Sequence, residues 1–197
     1  MEPSPETEAV RAVRPLHALL HSKKAGWAAV AVLAALAVFA FGPLGVRFFL
    51  VPSSSMETTL MPGDMIATVR ADALRRGDIV VLRHKGEYLV KRVVGLPGDE
   101  VSVADGALFL NGKYASEPYV LEPMRYTIER PVRVPEGRIL FLGDNRNHSE
   151  DSVPLEKNGA FDFAGTDSVV GRVVFRYYPY DRMGRILSYP LTNTAGE

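Results

Sequence analysis

The sequence predicts a mainly β protein, with twisted antiparallel β-sheets forming a partly closed barrel, preceded by one N-terminal transmembrane helix. Three observations support this prediction. Short runs of β-branched and aromatic residues recur through most of the chain. Turn signals rich in glycine, proline, aspartate and asparagine separate these runs. One long apolar segment without charges lies near the start.

The apolar segment covers residues 25–46, and none of its 22 residues is charged. As a helix it would be about 33 Å long, enough to cross a hydrocarbon core of about 30 Å. Lys23 and Lys24 precede it and only Arg47 follows closely, so the positive-inside rule predicts a cytoplasmic N-terminus. A cleaved signal peptide, cut near residues 38–40, is one alternative, and a buried helix of a soluble protein is another.

These features divide the chain into three expected parts. Residues 1–24 form a short cytoplasmic tail and residues 25–46 a single-pass anchor in the inner (cytoplasmic) membrane. Residues 47–197 form a β-rich domain on the outer (periplasmic or extracellular) face, with a small hairpin insertion around residues 102–135. The expected location is thus a membrane surface, and the lipid bilayer is an expected partner.

Composition excludes several classes of function. Lys and Arg number 23, as do Asp and Glu, so the net charge is zero and no nucleic-acid partner is expected. The chain has no cysteine, which excludes disulfides, cysteine nucleophiles and thiolate-bound zinc. Phosphate-binding and dinucleotide-binding glycine patterns are absent, as is the His-Glu-x-x-His zinc pattern. We therefore expect no cofactor and no metal.

The strand runs are bounded by recognisable turns. Asp105-Gly106 and Asn111-Gly112 flank one short run and predict a meander of two-residue hairpins. That run covers residues 107–110, and the other runs cover residues 79–82, 88–90, 138–142 and 169–178. The runs are rich in valine, isoleucine, leucine and phenylalanine, which favours strands over helices.

Two segments contain side chains suited to nucleophilic catalysis. Ser53, Ser54 and Ser55 follow a proline soon after the apolar segment. A plain linker is one interpretation, although apolar residues bound the segment on both sides, unlike a flexible serine-rich linker. Lys91 lies inside a strongly apolar strand. It could simply extend to the rim of the strand, but burial would lower its pKa, and a neutral amine can act as general base to a serine hydroxyl.

A Ser-His-Asp triad built on Ser55 and His148 is conceivable, but no spacing in the sequence supports it.

Taken together, the serine and lysine segments resemble type I signal peptidases, the membrane-bound serine proteases that remove signal peptides from exported proteins. The resemblance extends from the apolar segment to about Tyr178 and rests on four blocks in family order. These blocks are residues 53–64, 76–80, 91–99 and 143–153.

The resemblance implies a role for each matching residue. Ser55 corresponds to the nucleophile and Lys91 to its general base, which together form a Ser-Lys dyad. Ser53 corresponds to the residue whose hydroxyl joins the Ser55 backbone N–H in the oxyanion hole. Ser149 corresponds to the serine that orients the lysine amine.

Two acidic residues, Asp144 and Asp151, match residues that shape the loop behind the site. Val153 stands where the family has an arginine that pairs with the aspartate two residues before it, here Asp151. Because a buried aspartate without its partner is costly, we expect Arg92 or Arg146 to replace that arginine.

The family cleaves beside small side chains, which implies shallow apolar pockets. Ordinary core packing is the alternative interpretation of the matching positions, above all for Leu60 and Ile66. The matching positions are Val51, Pro52, Met56, Leu60, Ile66, Leu89 and Val90.

Two further departures from the family pattern are Thr58 for the usual proline and Ser54 for the common glycine, and we expect Thr58 to loosen the turn that presents Ser55.

The resemblance implies a membrane-bound serine endopeptidase that cleaves N-terminal signal peptides from exported preproteins. Two alternatives remain open. One is a dedicated maturation peptidase for one or a few exported proteins, and the other is a catalytically inactive membrane-anchored peptide-binding β module.

Overall fold

The computed structural model describes residues 26–33, 35, 42–153 and 161–191. The chain divides into two compact units, Met1–Leu44 and Gly45–Glu197. In the first unit, residues 26–33 and 35 are helical. Among the residues that the model describes, no helix is both long enough and apolar enough to cross a membrane.

Part of the sequence prediction falls outside the described residues. The tail 1–24 lies there entirely, and so do residues 25, 34 and 36–41 of the expected membrane segment. The transmembrane helix and the expected domain bounds therefore stay predictions.

Within its described residues, the second unit contains twelve strands and two short 3-10 turns. The turns are Thr166–Ser168 and Tyr180–Arg182. The strands are β1 (Arg47–Leu50), β2 (Met65–Val69), β3 (Ile79–His84), β4 (Glu87–Gly95), β5 (Glu100–Ala104), β6 (Ala107–Leu110), β7 (Lys113–Tyr114), β8 (Ile128–Arg133), β9 (Arg138–Leu142), β10 (Ala164–Gly165), β11 (Val169–Tyr178) and β12 (Gly184–Arg185).

These strands form two antiparallel sheets. The larger has eight strands in the order β1-β2-β11-β3-β4-β9-β10, with β12 paired to β11. The smaller has four, in the order β7-β6-β5-β8. The prediction of a mainly β, antiparallel fold is confirmed. The barrel, however, is not closed: among the described strands, the path of the larger sheet begins at β1 and ends at β10, because β5–β8 form a sheet of their own instead of extending it.

The two predicted hairpin turns have the expected backbone conformation. Asp105 and Gly106 have φ angles of 50° and 74°, and Asn111 and Gly112 have 52° and 76°. Positive φ at both central residues matches the twist of the flanking strands. The turns join β5 to β6 and β6 to β7, with Ala104 opposite Ala107 in the first pair.

Three apolar clusters form the core, and β3 is buried on both of its faces. Its side chains alternate between two of the clusters, which explains its continuous apolar run. We call these the turn cluster, the opposite cluster and the inter-sheet cluster. The turn cluster comprises Val51, Met56, Leu60, Ile66, Ile79, Val81 and Val173. The opposite cluster comprises Val80, Leu82, Val93, Ile139, Phe141 and Ala164. The inter-sheet cluster combines residues of β4, β5, β6, β8 and β9 with Leu191 and others.

Candidate active site

Ser55 lies in a hydrogen-bonded turn between β1 and β2. The Glu57 N–H donates to the Ser54 carbonyl (3.0 Å), and the Leu60 N–H donates to the Met56 carbonyl (2.9 Å). The side chains of Met56 and Leu60 belong to the turn cluster. They hold the turn on the core, while Ser55 itself is half-buried.

Two residues close to Ser55 in the chain, Ser53 and Thr58, are predicted from the sequence to affect how Ser55 acts. The exposed Ser53 hydroxyl donates to Ser55 Oγ at 3.3 Å, so the structure brings these two predicted residues together. Thr58 is also exposed. The backbone hydrogen bond from the Leu60 N–H to the Met56 carbonyl spans Thr58. The turn is therefore hydrogen-bonded at this point even though it lacks the proline that is usual in the family.

Lys91 lies on β4 opposite Val80, and it is only 3% exposed. Its Nζ donates to Ser149 Oγ at 2.9 Å. Burial lowers the pKa of Lys91, and the negative charges of Asp151, Glu150 and Asp144 oppose this shift. A buried amine with one hydroxyl acceptor is therefore easier to deprotonate than an exposed lysine.

The loop after β9 connects the serine turn to the lysine. The Asn145 N–H donates to the Ser55 carbonyl (3.0 Å), and its side-chain amide donates to the Ser54 carbonyl (3.3 Å). Gly143 lies against both Ser149 Oγ and the Ser55 carbonyl, since a Cβ at this position would overlap them. The loop thus contacts the turn of Ser55 with its backbone and Lys91 with its Ser149 hydroxyl. The sequence had not indicated the role of Asn145, although it belongs to the last matching block.

Asp144, in the same loop, pairs with Arg92 on β4. Arg92 donates through Nε and Nη2 to the two carboxylate oxygens, both at 2.7 Å, and through Nη1 to the Gly77 carbonyl at 2.8 Å. Both side chains are fully buried, and the guanidinium lies 3.7 Å from the ring centroid of Tyr119. Thr59 donates its hydroxyl to Asp144 at 2.6 Å. The ion pair therefore also supports the serine turn, through a threonine that the sequence did not single out.

Arg146 is 2% exposed and pairs with Glu117, in the connection between β7 and β8. One guanidinium N–H donates to Glu117 Oε2 at 2.6 Å, and a second donates to Oε1. Arg146 Nε donates to the Gly143 carbonyl at 3.0 Å. Nothing in the sequence near Glu117 indicated this contact, because it joins two segments that are distant along the chain.

Asp151 has a different environment from the expected one. It accepts hydrogen bonds from the backbone N–H groups of Val153 (3.1 Å) and Gly143 (3.4 Å). The hypothesis that Arg92 or Arg146 pairs with it is wrong, because both guanidiniums bind other carboxylates. Burial raises the pKa of Asp151, while the two backbone hydrogen bonds and the charges of Lys91 and Arg146 act in the opposite direction. The net result is a pKa of about 6.

The predicted pocket residues fall into three environments. Val51, Met56, Leu60 and Ile66 belong to the turn cluster and are at most 2% exposed. Val90 packs against this cluster, half-buried. Leu89 packs against the opposite cluster, and Pro52 is exposed. The structure therefore brings five of these residues together and separates Leu89 and Pro52 from them.

Sites other than the predicted Ser55–Lys91 site have no support in the part of the chain that the structure describes. A cleft of about 620 Å³ is lined by Arg83, Lys85, Arg138 and neighbouring residues, and by none of the predicted site residues. Among the described residues, no group of three or more His, Asp and Glu side chains could hold a metal ion. The exposed His148 contacts Asn145 through its ring Nδ1 (3.3 Å), an arrangement that gives no support to the triad alternative.

Comparison with known proteins gives four results. The family model described as signal peptidase, peptidase S26, matches residues 24–178. A probable signal peptidase I-2 of Synechocystis sp. is 37% identical over 158 residues, covering 72% of this chain and 69% of that protein. A signal peptidase I of Bacillus licheniformis is 36% identical over 171 residues, covering 78% of this chain and 87% of that protein.

A crystal structure of a signal peptidase I from Enterococcus faecalis is also similar, at 30% identity and a TM-score of 0.40, over 51% of this chain and 97% of that one. The family model matches well over half of the chain, and two curated relatives are more than 30% identical over most of their length. The chain therefore belongs to the signal peptidase family, peptidase S26, and is a serine endopeptidase.

Proposed function

We propose that this chain is a membrane-anchored endopeptidase that cleaves N-terminal signal peptides from exported preproteins, with Ser55 as nucleophile and Lys91 as general base. The observation that carries the proposal is the buried amine of Lys91. It bonds to Ser149 Oγ, in the loop whose backbone binds the turn of Ser55. The relatives named signal peptidase I supply the substrate class.

The chemistry needs the neutral form of Lys91. The amine removes the proton of Ser55 Oγ as this oxygen attacks the carbonyl carbon of the scissile peptide bond. The resulting ammonium then donates its proton to the departing amine, so the C–N bond breaks and an acyl ester remains on Ser55. Water, deprotonated by the same amine, hydrolyses the ester and restores both residues.

The hydroxyl of Ser53 and the backbone N–H of Ser55 would stabilise the negative oxygen of the tetrahedral intermediate. Ser53 contacts the Ser55 hydroxyl, so its own hydroxyl lies close to the oxygen that would attack the scissile carbonyl. Val90, half-buried against the turn cluster, provides apolar surface, which suits small apolar substrate side chains.

The membrane location rests on the sequence. The uncharged segment 25–46, with Lys23 and Lys24 before it, has the length and flanking charges of a single-pass anchor. We propose that residues 1–24 face the cytoplasm and that residues 47–197 act on the outer face. Ser55 follows this segment after only a few residues, which suits cleavage of a substrate at the membrane surface.

The dyad is tested with the full chain in detergent and a model preprotein. Ser55→Ala and Lys91→Ala are each expected to lower the cleavage rate by at least about 100-fold, because one loses the nucleophile and the other the base. Lys85→Ala is the matched control, since Lys85 is an exposed lysine in the turn before β4, and it should cleave at the wild-type rate. Appreciable cleavage by Lys91→Ala, with unchanged circular dichroism, would refute the dyad.

Ser53→Ala is expected to lower kcat by about 10²–10³ while KM stays nearly constant, since an oxyanion donor acts mainly in the transition state. Ser54→Ala, at the adjacent position, should retain activity, because only the backbone carbonyl of Ser54 makes the contacts described above. Steady-state kinetics on a model preprotein distinguish the two variants. Equal activities of Ser53→Ala and the wild type would exclude Ser53 from the oxyanion hole.

A panel of preproteins separates the proposed general activity from a dedicated one. A general signal peptidase cleaves several unrelated preproteins at comparable kcat/KM. Cleavage of a single member would favour a dedicated maturation peptidase, and binding without cleavage would favour the peptide-binding module.

A further inference from the structure

Asp151 is a half-buried carboxylate that has no cationic hydrogen-bond partner among the residues that the structure describes. Val153 occupies the position of the arginine that pairs with this aspartate in the family that the sequence resembles. The two buried arginines of the site bind elsewhere, Arg92 to Asp144 and Arg146 to Glu117. Asp151 is left with two backbone N–H donors, one of which is 3.4 Å away.

Charged and titratable groups approach Asp151 from each element packed around it. Lys91 on β4 and Arg146 in the loop after β9 both favour its charged form. Glu117 largely neutralises Arg146 by its bidentate contact. Tyr126, in the connection before β8, has a buried hydroxyl without a hydrogen-bond partner among the described residues. Burial first, and then the charge of Asp151, raise the pKa of that phenol.

The position of Asp151 relative to Lys91 is set by Gly143 and Ser149. The Gly143 N–H donates to Asp151, and the same glycine lies against Ser149 Oγ, which accepts from Lys91 Nζ. Asp151 therefore lies in the same short loop that contacts Lys91 through Ser149, and the described residues show no contact ion pair between Asp151 and Lys91. Of the nearby carboxylates, Asp151 is the one that most strongly opposes the lowering of the pKa of Lys91.

We propose that Asp151 is a positioning residue that acts through Lys91: its carboxylate sets the protonation state of the general base and thereby the acid limit of activity. This inference rests on the proposed dyad. A negative Asp151 favours the ammonium form of Lys91, which cannot accept the serine proton. Activity must therefore rise with pH as Lys91 loses its proton, and removal of the negative charge must move that rise to lower pH.

The first test is the pH dependence of kcat/KM for the full chain with a model preprotein. Asp151→Asn keeps the shape of the side chain and removes the charge. The acid limb of the profile, which is the pH range where kcat/KM rises as Lys91 loses its proton, is therefore expected to move to lower pH by about one unit. The rate at the alkaline plateau should change much less. A merely structural role would lower the plateau and leave the limb in place, and that result would overturn the proposal.

Glu150→Gln is the matched control. Glu150 also favours the charged form of Lys91, but it is exposed, so solvent and salt screen its effect. Its acid limb should move clearly less than that of Asp151→Asn, and the residual shift should disappear in added salt. Equal shifts for the two variants would show a general charge effect and refute a specific role of Asp151.

A titration that does not depend on activity separates this proposal from the proposed function. The 13Cε signal of Lys91 is followed against pH in the wild type, with Lys91→Arg used for assignment. Coupling predicts a second inflection near pH 6, from Asp151. Its absence overturns the proposal, even if Asp151→Asn does not fold. Cleavage by Lys91→Ala would instead refute the dyad, while this titration would still decide whether the two groups are coupled.

Discussion

Gly143→Ala is expected to lower kcat/KM by about 100-fold or more. A Cβ at this position would lie 2.5 Å from the Ser149 Cβ and would also overlap Ser149 Oγ and the Ser55 carbonyl. Because the carbonyl belongs to the backbone, the serine turn itself has to move. A displacement of about 1 Å in the reacting groups can cost about 100-fold in rate. Steady-state kinetics on a model preprotein measure the effect.

The same substitution should also lower the free energy of unfolding by about 1–3 kcal/mol, because it inserts a methyl group where the loop and the serine turn leave no space for one. Gly184→Ala is the matched control. Gly184 also lies in the larger sheet, as part of β12, but a Cβ there meets nothing within 4 Å, so rate and stability should equal those of the wild type. Wild-type kinetics for Gly143→Ala would contradict the close approach of the loop to the serine turn.

Separate replacement of either partner of the Arg92–Asp144 pair is expected to destabilise the fold by about 3–5 kcal/mol. Each single change leaves an uncompensated charge in a fully buried environment. Arg92→Lys should restore little, because an ammonium cannot make the bidentate contact or replace the guanidinium over Tyr119. Urea denaturation of the full chain in detergent, followed by near-UV circular dichroism, gives the free energy of unfolding.

A double-mutant cycle isolates the interaction of the pair. In Arg92→Met/Asp144→Leu neither charge remains, so the double variant should lose less free energy of unfolding than the sum of the two single variants. Its activity should stay low, because the Thr59 hydroxyl then has no carboxylate acceptor at the serine turn. Additive losses, or single losses below about 1 kcal/mol, would contradict a strongly coupled buried pair.

The turns and the most apolar strands were predictable because their causes are local. The Asp-Gly and Asn-Gly pairs need positive φ, and the structure has it at both turns. The runs of β3, β4, β6, β9 and β11 were found from their composition. The remaining described strands, β1, β2, β5, β7, β8, β10 and β12, were not named as runs, and three of them have only two residues each, too few to show an alternating pattern. The open path of the larger sheet was also missed, because strand composition does not tell which strands share a sheet.

The candidate site was predictable at the level of individual residues. Ser53, Ser55, Lys91 and Ser149 were all named from the matching blocks, and the structure places Ser53 in contact with Ser55 and Lys91 in contact with Ser149. The catalytic roles of these residues stay predictions. Thr59 and Glu117 were not identified. Their partners lie 85 and 29 residues away along the chain, and nothing local marks a side chain whose only task is a long-range contact.

The sequence by itself determined the β class, the hairpin turns, the apolar segment 25–46 and the residues that belong to the serine and lysine blocks. These follow from composition and short spacing. Only the tertiary structure decided the partners of the buried charges. Arg92 and Arg146 were both available to Asp151 by sequence, yet each binds another carboxylate, because the packing of the loop after β9 places Asp144 and Glu117 within bidentate reach. A buried cation pairs with the acceptor whose geometry the fold completes, and spacing along the chain does not contain that geometry.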